Sequence, residues 1–521
     1  MSCLSGELAP LPNRSLPLKA NNPPSRHIRE KWAPIGYDSE AGSKEPPYIL
    51  LSPTFVKMRW LPLVVSVSLL PAQKIISRTQ IEVEGYAVEK IGLPQSPVPA
   101  GPNRFAFVEY FVQGKLKPKT GYYLECLDTE YNEVWSVLLD IPSAGEGRPI
   151  RLIPMARALV ALSYEADPLQ KGVIQEVGRF YNLKGQPILP KWTAISNYDR
   201  PTSAMGFYAL SPDSTYLLWY AQEIDKKGQD RVWMAIWSES GRKVVSESGW
   251  SAGGRILAAQ PDNKARVWAL VLASGARVPQ LLLYDPKARV TRTWQFEGDT
   301  LWVAPALRLT GKGVWIAALA PASENRPTED GPVGAWRLAY LPQTFSDSTQ
   351  PLMGKAPLSK DFLSRTKDAV NPQVVGFWTA SDSVVYLIWE DRRLKGSTAI
   401  ATEIGVTCWD YAIDSLSLAW SYLIEKNQRE SMPDAVGHLS SLSETFLTIF
   451  FLTERTGKGS LRAYLINRET GEALSKDLAQ NTAGDLYILP GRAARISARD
   501  YMVLALARPG KNGYQIFHIR L

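Results

Sequence analysis

Ser211-Pro-Asp-Ser-Thr-Tyr-Leu-Leu-Trp-Tyr220 is a tight polar turn running straight into an apolar strand. Pro, Asp and Ser supply turn geometry, and Tyr, Leu and Trp suit a pleated, buried sheet. The same pairing recurs as Gln260-Pro-Asp-Asn before Val267-Trp-Ala-Leu-Val-Leu, and as Ser381-Asp-Ser before Val384-Val-Tyr-Leu-Ile-Trp. Shorter versions are Asn103-Arg before Phe105, Ala156-Arg before Ala158, Gly311-Lys-Gly before Val314, Ser443-Glu before Thr445 and Arg499-Asp before Tyr501. Eight copies at intervals of roughly 45 to 70 residues form the period of a repeat architecture such as a propeller.

Outward from these turns the units read strand, turn, strand, loop, strand, strand. The clearest runs from Gly206-Phe-Tyr-Ala-Leu through Tyr216-Leu-Leu-Trp and Arg231-Val-Trp-Met-Ala-Ile-Trp to Val244-Val-Ser-Glu. A second polar turn recurs after the third strand, as Asp128-Thr-Glu, Asn182-Leu-Lys-Gly, Asp285-Pro-Lys-Ala and Asn467-Arg-Glu-Thr-Gly. The last unit ends one strand short at Leu521, and a solitary alternating stretch, 80–92, precedes the first full unit. Pairing the two closes a ring and removes two exposed edges. The expected fold is all-β: a β-propeller of eight four-stranded blades over 80–521, closed by 80–92, with seven blades the alternative if the unit around 302–345 is irregular. Residues 341–372 interrupt the rhythm with a short helix capped by Ser359, and 321–333 form a long polar loop.

Composition narrows the function classes. The formal charge is +8. Eight of the 59 basic and five of the 51 acidic residues lie in 1–72, so the remainder carries +5, spread without a Lys/Arg run. Nucleic acid is therefore not an expected partner. The seventeen Trp suit strands. Cys126 and Cys408 sit in alternating strands as small core residues rather than a disulfide. No C-x-x-C exists and only three His are present, so no metal site is expected.

Residues 1–57 are Pro-rich and lack apolar periodicity, as an extension or an upstream mis-start would. Lys57-Met-Arg-Trp-Leu-Pro-Leu-Val-Val-Ser-Val-Ser-Leu-Leu-Pro-Ala72 has a basic flank, an apolar run and a small-residue end. That is the layout of a secretory signal starting at Met58, too short for a membrane-spanning helix. It predicts a chain from Gln73 outside the cytoplasm. A true start at Met1, with 58–72 a buried stretch or an anchor, is the alternative.

No nucleotide, EF-hand, hydrolase or zincin motif is present. First strands of propeller blades line a channel. Arg151, Arg255, Arg308 and Arg495 lie on them, as a basic funnel for an anionic ligand or as solvated rim charge. His438 falls on another predicted first strand. These five are the candidate ligand-binding residues, and no catalytic residue is assigned.

The Ser211 turn resembles the S-P-D-G repeat of TolB-type propellers, with Ser214 in place of Gly. Leu127-Asp-Thr-Glu-Tyr-Asn-Glu-Val-Trp135 and Tyr284-Asp-Pro-Lys-Ala-Arg-Val-Thr-Arg-Thr-Trp294 are similar to the D-x-x-T-G-x-x-x-W docking motif of quinoprotein propellers, without its Gly. That group includes quinone-dependent dehydrogenases and a non-enzymatic envelope scaffold. The dehydrogenases' vicinal Cys pair is missing, so no cofactor is expected. The resemblance reaches the fold and not the function. Expected is a secreted or periplasmic scaffold binding a protein or polysaccharide in the cell envelope, with no integral membrane span. The alternative is an extracytoplasmic hydrolase or lyase working at the channel mouth.

Overall fold

A computed structural model gives two compact units, Met1–Ser66 and Val67–Leu521, and every described residue lies in the second. The description covers the strands and turns given below between 74 and 520. Residues 1–73, the segments 167–173, 195–205, 322–333, 343–349, 358–371, 425–439 and 481–485, and shorter stretches between strands lie outside it. The expected signal at 58–72, the helix at 359, most of the loop at 321–333 and His438 therefore fall outside the described residues. Among those residues no helix is long and apolar enough to cross a membrane.

The described residues form successive antiparallel meanders. The first sheet carries Arg104–Gln113, Lys119–Asp128 and Glu133–Leu139, with Gln95–Pro99 and Lys90–Ile91 both on the outer edge of Arg104–Gln113. The second holds Gly147–Pro154, Ala158–Ala166, Ile174–Asn182 and the short Thr193–Ala194. The third is Phe207–Leu210, Tyr216–Ile224, Asp230–Ser238 and Lys243–Trp250. Arg255–Pro261, Val267–Leu272, Gln280–Asp285 and Val290–Gln295 make the fourth. The fifth comprises Val303–Leu309, Gly313–Pro321, Gly334–Pro342 and Leu352–Pro357. The sixth comprises Pro372–Thr379, Val384–Lys395, Thr398–Ala412 and Ser415–Ile424. Ser440–Leu442, Phe446–Arg455, Lys458–Asn467 and Ala473–Gln480 form the seventh. The last joins Leu486–Arg495, Asp500–Ala507 and Tyr514–Arg520 to Lys74–Arg78 from the other end of the chain.

That last pairing corrects the expectation for 80–92. Lys74 sits opposite His518 and Arg78 opposite Tyr514. Within 80–92, Glu82–Val83 instead turns back on Tyr86–Ala87, and Lys90–Ile91 joins the first sheet. The residues between the two hairpin arms are Glu84 and Gly85. A Gly in a two-residue connection favours folding back over continuing. Lys74-Ile-Ile-Ser-Arg78 has two β-branched residues and no breaker.

The first seven sheets stack face to face through apolar layers. On Ala158–Ala166, Ala158, Val160 and Leu162 pack with Leu217, Trp219 and Trp233 of the third sheet. Leu159 and Ala161 pack with Val108, Leu124 and Cys126 of the first. The period of two thus serves two interfaces at once. The same arrangement repeats between third and fourth, fourth and fifth, fifth and sixth, and sixth and seventh sheets. Trp219, Trp268 and Trp315, each on the second strand of its sheet, are fully buried in these layers. Cys126 and Cys408 are free and buried, as expected, and burial pushes both thiols up to about 12.

Beyond the core, the fourth strand of one sheet docks on the polar turn of the next. Trp135 donates its indole N–H to the Leu183 carbonyl at 3.1 Å, above Gly185. Trp420 does the same to Arg468 at 3.0 Å, above Gly471. Trp135 therefore acts as its motif implied, and Trp420, which no motif marked, acts likewise. Trp294 differs: it stacks on Trp268 of its own sheet, with 5.5 Å between ring centroids. The turns are held by their Asx residues. Asp128, Asn182, Asp262, Asp285 and Asn467 each accept two backbone N–H bonds through Oδ1.

Gly185 has φ +79, and a Cβ there would lie 2.6 Å from the Trp135 ring, whereas Gly249, with φ +75, has nothing within 4 Å. Both pay the left-handed penalty of about 1–2 kcal/mol for an L residue. We expect Gly185→Ala to lose about 1–3 kcal/mol more than Gly249→Ala through overpacking, read as the difference in urea midpoint. Equal losses would show that the Trp135 dock contributes nothing.

Candidate functional site

Side chains free of the stacking are found at the ends of the first strands. These strands lie side by side: Leu486–Arg495 against Gln95–Pro99, that strand against Gly147–Pro154, and Phe207–Leu210, Arg255–Pro261, Val303–Leu309 and Pro372–Thr379 in succession. The candidate arginines occupy different heights on them. Arg255 opens its strand, Arg151 is fifth of eight, Arg308 is next to last and Arg495 is last. Arg308 and Arg495 therefore stand beside the turns that lead into the second strands. Arg255 lies at the opposite end of its strand, and Arg151, just past the middle of its own, lies over Tyr208.

Phe207, the first residue of its strand, is 59% exposed although it is a large apolar side chain. Its ring stacks on Tyr220, its partner across the ladder, with centroids 5.2 Å apart. One face of Phe207 is thus covered, and what remains open is a flat platform. Tyr208 points to the other side of the strand and packs with Ile153, Leu162 and Trp219. The Arg151 guanidinium lies over its ring, 5.2 Å from the centroid, a cation–π contact.

Arg151 reaches solvent, yet the protein crowding it strips part of its hydration, which lowers the guanidinium's pKa against a smaller opposing influence from Tyr208. Burial likewise drives the Tyr208 hydroxyl far above the usual phenol range, with Glu176 adding to the rise. Arg308 is also solvent-accessible and lowered by crowding.

Arg255 is tied to the same rim through its backbone. Gln222, two residues beyond Tyr220 on the same face, donates to Gly254 O at 2.6 Å and accepts from Ile256 N at 2.8 Å. The backbone on either side of Arg255 is thereby fixed and the side chain is left exposed.

The buried carboxylates around this end are committed to structure. Glu176, fully buried, accepts the Trp219 indole N–H and the Gly206 N–H. A Cβ on Gly206 would run into that same Trp219–Glu176 pair, which is why the residue before Phe207 is Gly. Asp230 accepts from Ser251 Oγ at 2.6 Å and Ala252 N at 2.7 Å. On the far face of the second sheet, Glu165 is ion-paired to Arg179 at 2.5 Å, both side chains buried. Among the described residues no group of three or more His, Cys, Asp or Glu is placed to hold a metal ion.

Sequence reasoning thus listed two members of this rim, Arg151 and Arg255, and missed Phe207 and Tyr208. The signal available was two adjacent aromatics after a Gly at the start of a first strand. Period-two alternation cannot tell which end of a short strand emerges from the stack.

No family model matches the chain, and no curated protein is similar to it in sequence. Solved structures similar to it include propellers and enzymes. The Dos1 propeller is 10% identical, covering 85% of this chain and 96% of that one, with a TM-score of 0.41. The WD40 domain of SCAP from fission yeast is 9% identical, covering 87% and 98%, with a TM-score of 0.42. The polysaccharide lyase Uly1 is 12% identical, covering 85% and 94%, with a TM-score of 0.43. The fold is carried by the chain's own sheet topology.

Tyr220, the covered partner of the platform, gives this rim a pH signature. Burial raises its hydroxyl to about 12. In the unfolded chain a Tyr ionises near 10. Its contribution is therefore intact below pH 10 and declines as pH rises toward 12, by about 1.4 kcal/mol per unit. The urea midpoint of the wild type should fall more steeply over that window than that of Tyr220→Phe, which keeps the ring stack. Parallel curves would mean that the hydroxyl is not sealed.

The topology, successive antiparallel sheets, most of them four-stranded, packed face to face with their first strands side by side, is the all-β repeat arrangement that the sequence led us to expect.

Proposed function

We propose that the chain is an extracytoplasmic eight-bladed propeller that binds a partner at the first-strand ends of its second to fourth sheets and performs no chemistry. One observation carries the binding reading. An exposed aromatic platform and two exposed arginines lie on the first strands of three neighbouring sheets, while Glu176 and Asp230, the buried carboxylates described among them, are occupied by structural donors. A binding surface needs exposed, rigidly held contact groups. General acid–base work needs a carboxyl free to exchange a proton with substrate.

Closure and blade count belong to the same proposal. The pairing of Lys74–Arg78 with Tyr514–Arg520, and the neighbourhood of Leu486–Arg495 and Gln95–Pro99, support a ring whose two ends meet in the last blade. Export is supported by the composition of 58–72, which ends two residues before that closing strand.

Two measurements test this. N-terminal sequencing and intact mass on fractionated cells should find a chain beginning at Gln73 outside the cytoplasm, and a chain beginning at Met1 in the cytosol defeats the export reading. Removing residues 1–72 should leave the melting temperature unchanged, whereas removing 1–78 should lower it and promote self-association by baring the edge of Tyr514–Arg520. A chain lacking 1–78 with unchanged stability would mean that the ring is not closed there.

A further inference from the structure

The outward N–H and C=O groups of a sheet edge can pair with any extended chain, so proteins guard their edges. The last strands of the first seven sheets are such edges, and most are guarded by shape. Glu133–Leu139, Lys243–Trp250, Ser415–Ile424 and Ala473–Gln480 each pair with their neighbour through a register shift. Thr193–Ala194 is two residues long, and Leu352–Pro357 lies against Ser415–Ile424 of the sixth sheet. Val290–Gln295 has none of these defences. Its six residues pair with Gln280–Asp285 in unbroken register, and among the described residues no strand pairs with its outer side.

The strand is held in place and ready to pair. Trp294 is buried and stacks on Trp268, and the Gln295 amide donates to Gln280 Oε1 at 2.8 Å. Every residue of the strand except Trp294 is exposed, and Val290, Thr291 and Thr293 are β-branched. Pairing with Leu283 puts Arg292 on the side of the fifth sheet, and pairing with Tyr284 and Leu282 puts Thr291 and Thr293 on the side of the third. What guards this edge is charge of one sign. Arg292 stands within the strand, and Lys287 and Arg289 are exposed in the turn that enters it. The strand has no carboxylate, and Asp285, at the start of that turn, holds the Lys287 and Ala288 amides through Oδ1. Such cations oppose pairing with a second copy of the same edge and favour a strand that carries carboxylates. We propose that Val290–Gln295 docks an extended acidic segment of a partner protein, which joins the fourth sheet as a further strand and sets a carboxylate beside Arg292. This surface lies on the opposite edge of the sheet from the first strands and is independent of binding there.

The test uses the full chain and capped peptides of about eight residues, a strand's length, in titration calorimetry. One peptide alternates Thr with Glu and one alternates Thr with Lys. A third is the Thr-Glu peptide with Pro at its central positions, which removes N–H groups that a new strand must offer. The Thr-Glu peptide should bind, and the other two should bind about tenfold more weakly or worse. In the complex, hydrogen exchange should slow at amides within Val290–Gln295 and stay unchanged within Lys243–Trp250. Arg292→Glu should weaken the Thr-Glu peptide about tenfold or more, and Lys287→Gln and Arg289→Asn about threefold each. Asn suits position 289, where φ is 54. Arg157→Gln, at an exposed arginine of the second sheet, should change nothing. An unchanged melting temperature of Arg292→Glu verifies that the sheet persists. The proposal is overturned if the Thr-Glu peptide does not bind, if the Pro peptide binds as tightly, if protection falls elsewhere, or if Arg292→Glu binds like the wild type. It is overturned in favour of a second copy if the chain alone sediments as a dimer that Arg292→Glu disrupts.

Discussion

The structure depends on apolar contact between consecutive sheets at two radii. Near the middle of each sheet, a strand such as Ala158–Ala166 gives alternate side chains to the neighbour on either side. Farther out, Trp135 and Trp420 reach across to the turn of the following sheet and hydrogen-bond its carbonyl. Leu189 does a simpler version over Gly241, and Trp250 stacks on Tyr284 beside the Asp285 turn. No single sheet buries both its faces alone, so none is stable without its neighbours. The Gly positions under the tryptophans follow from this: the turn must be thin where a ring lies on it, and it must tolerate positive φ.

This division of labour leaves the two ends of the first strands chemically unequal. At the turn end the polar atoms satisfy one another. Ser211 Oγ donates to Asp213 and accepts from Tyr216 N, and Asp213 also takes Thr215 N. These hydrogen bonds hold the Asp213 carboxyl below its ordinary range despite an opposing desolvation. Gln260 bridges from Leu210 O to Leu309 N, tying three sheets together there. Away from the turns, Phe207 and Arg255 open their strands to solvent and Arg151 emerges from mid-strand, and ring contacts back Phe207 and Arg151.

The sheets were legible in the sequence because their turns are chemical. An Asx oxygen accepting two amide N–H groups two to four residues ahead is a local arrangement, and Asp128, Asn182, Asp262, Asp285 and Asn467 each announce it within five residues. Ser214, noted for standing where the repeat has Gly, does take the left-handed conformation, with φ 58. Long-range choices were less legible. Trp294 matched a docking motif and stacks on Trp268 within the layer between fourth and fifth sheets, whereas Trp420 matched none and docks on a turn, above Gly471. The stretch 80–92 alternated like a strand, yet Glu82–Val83 pairs back on Tyr86–Ala87, and the strand that reaches the C-terminal edge lies earlier in the chain.

The site was half legible for a related reason. An arginine on a first strand can be named from sequence, but its height along the strand depends on where the turn begins, and one residue of register decides which face it shares with what. Arg151 became informative only when Tyr208 was found beneath it. A lysine there would carry the same charge, but its ammonium is a point donor without a plane to lie on the ring. The stacking and the fork together are what make this cation directional. The same holds for Phe207, whose exposure is supported by the covered Tyr220 behind it. Phe207 and Arg151 each face solvent with an aromatic partner behind them, buried Tyr220 and half-buried Tyr208, which limits how each can turn.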